Sequence, residues 1–237
     1  MVSRAFVVIS LLASACGRLG FDVADGGAGD GPEAPCLGTS HLLVDNFDDG
    51  VFDGVTWGKS YEDTTSKHVE INGRLELQLS GGVTFDYTGY VSTNLYDYGD
   101  DRVFVEVVKA NTQLEGNALL LLNTTVDHTD GPSVEFEAGM IMMRVRIADV
   151  IFDRATMPYD PVAHRWWQIR ERAGRTYWET SPDGVTWTTQ HDEPSAVPTL
   201  TLVTLSAGYD NLAASQPDVV RFDNLNGGGA PPSCPER

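Results

Sequence analysis

The sequence has little positive charge. Its 237 residues include 16 Lys and Arg against 34 Asp and Glu, which gives a formal net charge of −18. Proteins that bind nucleic acid gain much of their affinity from basic side chains that neutralise phosphates, and anionic lipid headgroups attract the same side chains. The composition therefore argues against nucleic acid and against direct docking on anionic lipid.

The chain also lacks a hydrophobic run that could span a bilayer. Its first apolar stretch, residues 5–15, would extend about 16 Å as a helix, whereas a bilayer core is about 30 Å thick. Because Arg4 precedes this stretch and small residues end it, we interpret residues 1–15 as a signal peptide.

Residues 12–17 (LASACG) resemble the lipobox of bacterial lipoproteins, although Ala13 stands where Leu is commonest. The resemblance implies acylation of Cys16 and a membrane contact through that lipid anchor only. The alternative is ordinary cleavage after Ala15 with an idle Cys16. Gly17 in place of Asp favours the outer membrane by resemblance to enteric sorting rules. We therefore expect a cell-envelope protein, periplasmic or surface-facing.

Residues 16–38 are rich in Gly and Asp and have almost no apolar side chains, so we predict a disordered tether. The whole start resembles that of myxobacterial lipoproteins. With Cys16 assigned to lipid, only two cysteines remain, Cys36 and Cys234, the latter in a Gly- and Pro-rich tail at residues 227–237. In an oxidising compartment we expect them to pair, which requires the two ends of the domain to meet. The alternative is two free thiols.

The body, residues 39–226, has no convincing amphipathic helix. It shows period-two alternation of apolar and polar residues, interrupted by turn signals such as Asn72-Gly73 and Ala173-Gly174. The pattern predicts an all-β fold, a two-sheet antiparallel sandwich or barrel. The predicted strands include residues 75–79, 103–107, 118–122, 133–137, 141–147, 165–172, 176–180, 186–189, 200–206 and 219–225.

Several segments carry a family resemblance: residues 45–50 (DNFDDG), 159–171 (YDPVAHRWWQIRE), 177–187 (YWETSPDGVTW) and 220–225 (VRFDNL). Together they resemble the concanavalin A-like lectin/glucanase superfamily, a jelly roll that includes laminin-G-like modules. The resemblance implies a jelly-roll β-sandwich with adjacent terminal strands. It implies little about function, because this fold hosts lectins, hydrolases, lyases and adhesion modules.

Catalytic motifs are missing. The family-16 glycoside hydrolases of this superfamily carry E-x-D-x-x-E on one strand, and no such motif occurs here. The nearest imitation is Glu135-Phe136-Glu137, for which a solvated strand face is the simpler explanation. The sequence also lacks Gly-x-Ser-x-Gly, His-Glu-x-x-His and a phosphate loop. We therefore predict a protein that is not an enzyme, with a hydrolase or polysaccharide lyase as an alternative.

One stretch is locally basic. Residues 144–175 hold seven Arg against four acids, whereas residues 41–101 hold three basic residues against twelve acids. If the outward faces of two neighbouring strands belong to one sheet, the predicted ligand-binding residues form one basic patch, and aromatic rings and guanidinium groups suit sugar binding. Those residues are Trp166, Gln168, Arg170, Arg172, Arg144 and Arg146. The alternative is that these Arg pair with cross-strand Glu and that Trp166 packs under a loop.

The superfamily resemblance also implies a structural Ca²⁺ ion. Its ligands would be the Asp223 carboxylate and backbone carbonyls near Asp45 and Gly73, with an Asp-rich turn as the alternative. We thus predict a monomeric, lipid-anchored, non-catalytic lectin-like protein that binds carbohydrate or another cell-surface polymer. A structural or adhesion module with a protein partner remains the alternative binding function.

Overall fold

The computed structural model describes residues 38–60, 65–80, 86–112, 116–124, 130–209 and 217–227. Apart from a 3-10 turn at Ser40–Leu42, the regular elements in these ranges are β-strands. In chain order they are β1 (Trp57–Ser60), β2 (Lys67–Glu70), β3 (Leu75–Leu79), β4 (Asp86–Ser92), β5 (Tyr96–Asp97), β6 (Arg102–Lys109), β7 (Gly116–Asn123), β8 (Gly131–Glu137), β9 (Met140–Ile147), β10 (Val150–Pro158), β11 (Trp166–Arg172), β12 (Arg175–Ser181), β13 (Thr188–Pro194), β14 (Leu200–Tyr209) and β15 (Asp218–Asp223).

The strands form two antiparallel sheets. The eight-stranded sheet has the order β1-β4-β14-β7-β8-β9-β10, with β5 paired beside it on β14. The seven-stranded sheet has the order β13-β12-β11-β6-β15-β3-β2. The prediction of a two-sheet antiparallel sandwich is confirmed. Every strand predicted from alternation is present, although residues 186–189 only overlap the start of β13.

One face of each sheet is buried between the two layers. The eight-stranded sheet contributes side chains such as Leu120 and Val134, and the seven-stranded sheet contributes Ile169 and Trp167, all fully buried. Full burial of a large apolar side chain contributes about 1.5–3 kcal/mol. Burial of every second side chain therefore stabilises the packing of the two sheets. The remaining side chains of each strand lie on the two outward faces.

Tight hairpins follow the predicted turn residues. Ala173 and Gly174 join β11 to β12 with φ angles of 51° and 76°, and Asn72 and Gly73 join β2 to β3 with φ angles of 56° and 67°. Positive φ at both positions matches the right-handed twist of the paired strands.

The first and last described segments of the body pack together. Asn226 Nδ2 donates hydrogen bonds to the backbone carbonyls of Ser40 and Leu43, each at 2.9 Å. Asp45 and Leu225 form an isolated antiparallel bridge. Within the described ranges, no helix is long and apolar enough to cross a membrane.

Candidate functional site

The six residues predicted to form one ligand-binding patch lie on two different sheets. Arg144 and Arg146 belong to β9 of the eight-stranded sheet. Trp166, Gln168, Arg170 and Arg172 belong to β11 of the seven-stranded sheet. The prediction of a single patch is wrong, because β10 intervenes and the chain crosses between the sheets after it.

On the seven-stranded sheet, Arg170 and Gln168 already have a protein partner. Arg170 donates to both carboxylate oxygens of Glu179, at 3.0 and 2.8 Å, and Gln168 Nε2 donates to Glu179 at 2.5 Å. Burial alone would raise the pKa of Glu179, but the hydrogen bonds and charge of Arg170 outweigh burial and lower that pKa. The guanidinium of Arg170 also lies 4.2 Å from the ring centroid of Tyr177.

Trp166 packs under a turn of the same sheet. A Cβ atom on Gly184 would lie 2.9 Å from the Trp166 indole, so this turn rests directly on the ring. Phe104 lies beside Trp166, with ring centroids 6.1 Å apart. The alternative stated for this patch, a cross-strand Glu for the Arg and a loop over Trp166, therefore describes Arg170 and Trp166, whereas Arg172 has no ion-pair partner among the described residues. The contacts of Arg170, Gln168 and Trp166 on this face stabilise the fold.

The outward side chains of β4, β14, β7, β8 and β9 form a second surface, which we call the shielded face. Although they point away from the core, Leu119 and Leu121 are each only 8% exposed. Both belong with Tyr87 to a hydrophobic cluster separate from the core, and the Tyr87 ring lies across Gly208. The register places Met142 two strands from Leu119, so the middle of the shielded face is apolar.

An ion cluster flanks this apolar middle. Arg144 Nη1 donates to Glu135 at 2.6 Å and lies 3.4 Å from Glu137, while Nε donates to Asp153 at 2.7 Å. The Ser133 hydroxyl donates to the other oxygen of Glu135 at 2.6 Å. Burial would lower the pKa of Arg144, but Glu135 and Asp153 raise it above its ordinary value.

The shielded face also holds buried polar atoms without partners. Ser206 is 0% exposed and Asn123 is 6% exposed, and neither Ser206 Oγ nor Asn123 Oδ1 has a hydrogen-bond partner among the described residues. Buried polar groups are nearly always paired, and an unpaired one costs about 1–3 kcal/mol. Within the same part of the chain, Arg146 has no ion-pair or hydrogen-bond partner for its guanidinium. Of these three groups, the Arg146 guanidinium belongs to a partly exposed residue, whereas Ser206 Oγ and Asn123 Oδ1 are buried.

Comparison with solved structures identifies the architecture. The chain is similar to a β-1,3-1,4-glucanase (lichenase) derived from a mouse hindgut metagenome, at 10% identity and a TM-score of 0.56, covering 77% of this chain and 96% of that one. It is similar to the exoplasmic/lumenal domain of VIP36 in its Ca²⁺/Man3GlcNAc-bound form, at 13% identity and a TM-score of 0.53, covering 74% and 84%. It is also similar to the carbohydrate-binding module CBM66 from Bacillus subtilis, at 10% identity and a TM-score of 0.51, covering 72% and 94%.

The chain has the concanavalin A-like jelly-roll fold. The fold expected from the sequence resemblance is thus confirmed, and at these identities the likeness concerns the fold alone. No protein-family model and no curated protein matches the chain.

At one end of this concanavalin A-like jelly roll, the three predicted calcium residues come near one another. Asp45 pairs with Leu225, and Gly73 lies against Asp48 Oδ1, where an added Cβ would approach to 2.7 Å. The pKa of Asp223 is raised, first by burial and then by the negative charges of Glu106 and Asp48. These segments come together, and calcium binding stays a prediction.

The Asp45 carboxylate already accepts hydrogen bonds from other groups of the protein. Its two oxygens accept hydrogen bonds from the Phe47 N–H and from Trp57 Nε1, each at 2.7 Å. Within the described ranges, no group of three or more His, Cys, Asp or Glu side chains is arranged to hold a metal ion. A carboxylate cage does not fit here. The donor set fits Ca²⁺ only if backbone carbonyls near Asp45 and Gly73 supplement the single Asp223 carboxylate, which is the predicted arrangement.

Three predicted residues of the jelly-roll protein lie outside the described residues: the lipidation site Cys16 and the disulfide partners Cys36 and Cys234. Their assignments stay predictions.

The sequence contains a pattern that indicates the shielded face, but this pattern is not an alternation of apolar and polar residues. The run Gly116–Asn123 contains four consecutive Leu, and every residue in it is buried. A short continuous apolar run is typical of a strand covered on both faces. Glu135 was identified from its spacing, but as part of a solvated face. Its partner Arg144 comes from the next strand, so the ion pair depends on the strand register.

Proposed function

We propose that this protein binds carbohydrate through the shielded face of its jelly roll, without catalysis, and is held at the cell envelope by a lipid on Cys16. The observation that carries the proposal is the combination on one surface of an apolar middle, an ion cluster and the unpartnered groups of Ser206, Asn123 and Arg146. Sugars present apolar ring faces and many hydroxyl groups, and such a surface offers partners for both.

The similar structures support this class of ligand. One is named as a glucanase, one is a lumenal domain with bound Man3GlcNAc, and one is named as a carbohydrate-binding module. The β10 edge of this face is open to solvent at Asp153, whose side chain is 56% exposed. On the surface around Trp166, by contrast, Arg170 is paired with Glu179 and the Gly184 turn covers the indole, although Gln168 Oε1 is buried without a hydrogen-bond partner among the described residues.

A binding role without catalysis agrees with the state of the carboxylates. Glu135 and Glu137 both approach the Arg144 guanidinium, and Glu135 also accepts from Ser133. Glycosidases need one carboxylic acid with a raised pKa and a second carboxylate free to act as nucleophile or base. Both carboxylates are therefore engaged by the Arg144 guanidinium, so neither is free to act as nucleophile or base.

A glycan hydrolase is the second candidate, and one observation favours it. Glu135 and Glu137 lie on the same outward face of β8, on the surface proposed to bind sugar. A reducing-sugar assay on the polysaccharides that bind separates the two functions. If product forms and Glu137→Gln abolishes its formation, the protein is an enzyme.

The binding proposal is tested with a chain carrying Cys16→Ser, which removes the predicted acylation site, by affinity electrophoresis against a polysaccharide panel. We expect retention by at least one polysaccharide, and we expect Arg144→Gln and Met142→Ala to weaken it. Trp166→Ala, on the opposite sheet, is the matched control and leaves retention unchanged. Loss of retention only with Trp166→Ala would move the site to the other face. If no polysaccharide is retained, the remaining binding function is a structural or adhesion role with a protein partner.

The anchor is tested in a bacterial host that acylates lipoproteins. We expect the full chain to partition with membranes and to carry acyl groups by mass spectrometry, and Cys16→Ser to abolish both. Cleavage after Ala15 without acylation would contradict lipidation and leave the carbohydrate proposal untouched.

A further inference from the structure

The sequence contains two Asn-Gly pairs, and the structure holds them differently. They are Asn72-Gly73, in the turn between β2 and β3, and Asn226-Gly227, which follows β15. Both pairs have positive φ angles, 56° and 67° in the first and 49° and 88° in the second. Because the residue types and the φ region match, a difference in the chemistry of the two pairs comes from the contacts around them.

An asparagine that precedes a glycine can lose its side-chain amide without an enzyme. The glycine backbone nitrogen gives up its proton and bonds to the Asn Cγ atom, which closes a succinimide ring. The bond between Cγ and Nδ2 breaks, and the amide nitrogen leaves as ammonia. Water then opens the ring at either carbonyl, which yields aspartate or isoaspartate. Glycine favours the attack because it has no Cβ atom beside the nitrogen.

In the first pair, neither reacting group is held by the protein. Asn72 is exposed, and within the described ranges its side-chain amide and the Gly73 N–H have no hydrogen-bond partner. The turn is closed by the Ile71 N–H, which donates to the Arg74 carbonyl at 3.0 Å. Arg74 Nε adds a longer hydrogen bond, at 3.4 Å, to the Asn72 carbonyl oxygen. Opening the turn so that the Gly73 nitrogen reaches Cγ therefore breaks few bonds and exposes no core.

In the second pair, both reacting groups are held. Asn226 is 0% exposed, and its Nδ2 donates to two backbone carbonyls within residues 40–43, each at 2.9 Å. Asn226 Oδ1 accepts a hydrogen bond from the Phe104 N–H at 2.8 Å. The Gly227 N–H, which would have to attack, donates to the Asn224 carbonyl at 3.1 Å. Reaction at this pair therefore requires the two ends of the body to separate first.

We infer that Asn72 is a site of spontaneous deamidation in the folded protein and that Asn226 is protected from the same reaction. The product exchanges a neutral amide for a carboxylate, and its isoaspartate form adds one backbone atom to a two-residue turn. The new charge lies one residue from Gly73, where an added Cβ would approach Asp48 Oδ1 to 2.7 Å. Since like charges repel and the turn is tight, the modified protein should unfold at a lower temperature.

The test incubates the purified, folded protein in warm, mildly alkaline buffer and follows both pairs by peptide mass spectrometry. We expect aspartate and isoaspartate to accumulate at position 72 at least about tenfold faster than at position 226, because the loss of one or two additional hydrogen bonds is sufficient for that factor. The incubated protein should also shift to a more acidic position in isoelectric focusing. Asn72→Asp removes the reactive amide, so this variant should start at the shifted position and move no further.

The urea-denatured chain is the matched control. Unfolding removes the contacts of both Asn-Gly pairs, so positions 72 and 226 should then react at similar rates. Equal rates at the two positions in the folded protein would overturn the inference, since the contacts of Asn226 would then give no protection. An amide that stays intact at position 72 of the folded protein, while the denatured chain loses it, would overturn the inference as well. None of these results bears on the proposed carbohydrate binding, which uses the opposite sheet.

Discussion

Arg170 and Glu179 form an ion pair on the outward face of the seven-stranded sheet. The Glu179 side chain is 6% exposed and accepts hydrogen bonds from Arg170, Gln168 and Thr189. Replacing Glu179 by Gln removes the charge and keeps the shape. Hydrogen bonds to charged groups contribute about 1.5–3 kcal/mol, so we expect Glu179→Gln to lower the free energy of unfolding by about that amount at pH 7. Urea unfolding measures it.

The pH dependence of that loss follows from the pKa of Glu179. This pKa is lowered in the folded protein, so its contribution to stability is present above the ordinary value near 4.5 and disappears as the pH falls below it. The difference between Glu179→Gln and the original chain should therefore shrink between pH 5 and pH 3. Asp192→Asn, which breaks the more exposed Arg175–Asp192 pair, is the control and should change stability little at either pH. A constant difference across this range would contradict the assignment.

At the level of strands, the sequence predicted elements well and their partners poorly. Alternation located β3, β6 and β9, because a fully buried apolar side chain recurs at every second residue of each strand. It missed β1, β2, β4, β5 and β10, and in β10 Val150, Ile151 and Phe152 follow one another without alternation and a register shift follows Asp153. Since β10 carries the chain to the sheet edge before it crosses over, missing this strand also placed β9 and β11 in one patch.

The cross-strand contacts that define the candidate site could not be predicted from the sequence either. Arg144 finds Glu135 on the neighbouring strand and Asp153 on the next one, and Asn123 meets Gly131 across a loop. Each contact depends on the strand register, and a shift of one residue would send these side chains to the opposite face. Residue types alone identified the charged groups but not which of them remain unpaired.

The pairing of β7 with β8 depends on Gly131. Its φ angle is 152°, and an added Cβ would overlap the Leu122 carbonyl oxygen at 1.6 Å. We expect Gly131→Ala to lower the free energy of unfolding by about 3 kcal/mol or more, because two strands must separate to admit one methyl group. Guanidinium unfolding checks this.

Gly139 provides a matched control in the next hairpin. Its φ angle is 77°, but no heavy atom lies within 4 Å of an added Cβ. Gly139→Ala should therefore cost only the left-handed backbone strain, about 1–2 kcal/mol. Equal losses for the two variants would show that steric overlap at Gly131 is not the cause.

At the scale of the whole molecule, the locally basic stretch of the sequence, residues 144–175, does not form one surface. Its arginines are divided between both sheets, and Arg144, Arg154, Arg165, Arg170 and Arg175 each have a carboxylate partner. Several acidic residues of the first half, by contrast, crowd together. There burial and the nearby Asp49 and Asp45 raise the pKa of Glu70 to about 7.

That crowding makes the calcium prediction testable on the intact protein. A bound Ca²⁺ would offset the repulsion around Asp223 and stabilise the folded state by mass action. We expect the melting temperature to rise with millimolar CaCl₂ and to fall with a chelator, and Asp223→Asn to remove the response. Identical melts with calcium and with chelator would argue against the site. Equal effects of MgCl₂ and CaCl₂ would point to general charge screening.

The two ends of the body are joined in a way that bears on Cys36 and Cys234. Ser40 and Asn226 are hydrogen-bonded to each other, and each lies a few residues from one of these cysteines. A disulfide closing a loop of almost 200 residues would stabilise the fold by about 4–5 kcal/mol in the chain-entropy model. We expect a reductant, or the double variant Cys36→Ser with Cys234→Ser, to lower the urea midpoint, while Cys16→Ser alone leaves it unchanged. If both thiols are alkylated in the denatured, unreduced protein, the two ends are held by Asn226 and the Asp45–Leu225 bridge without a covalent link.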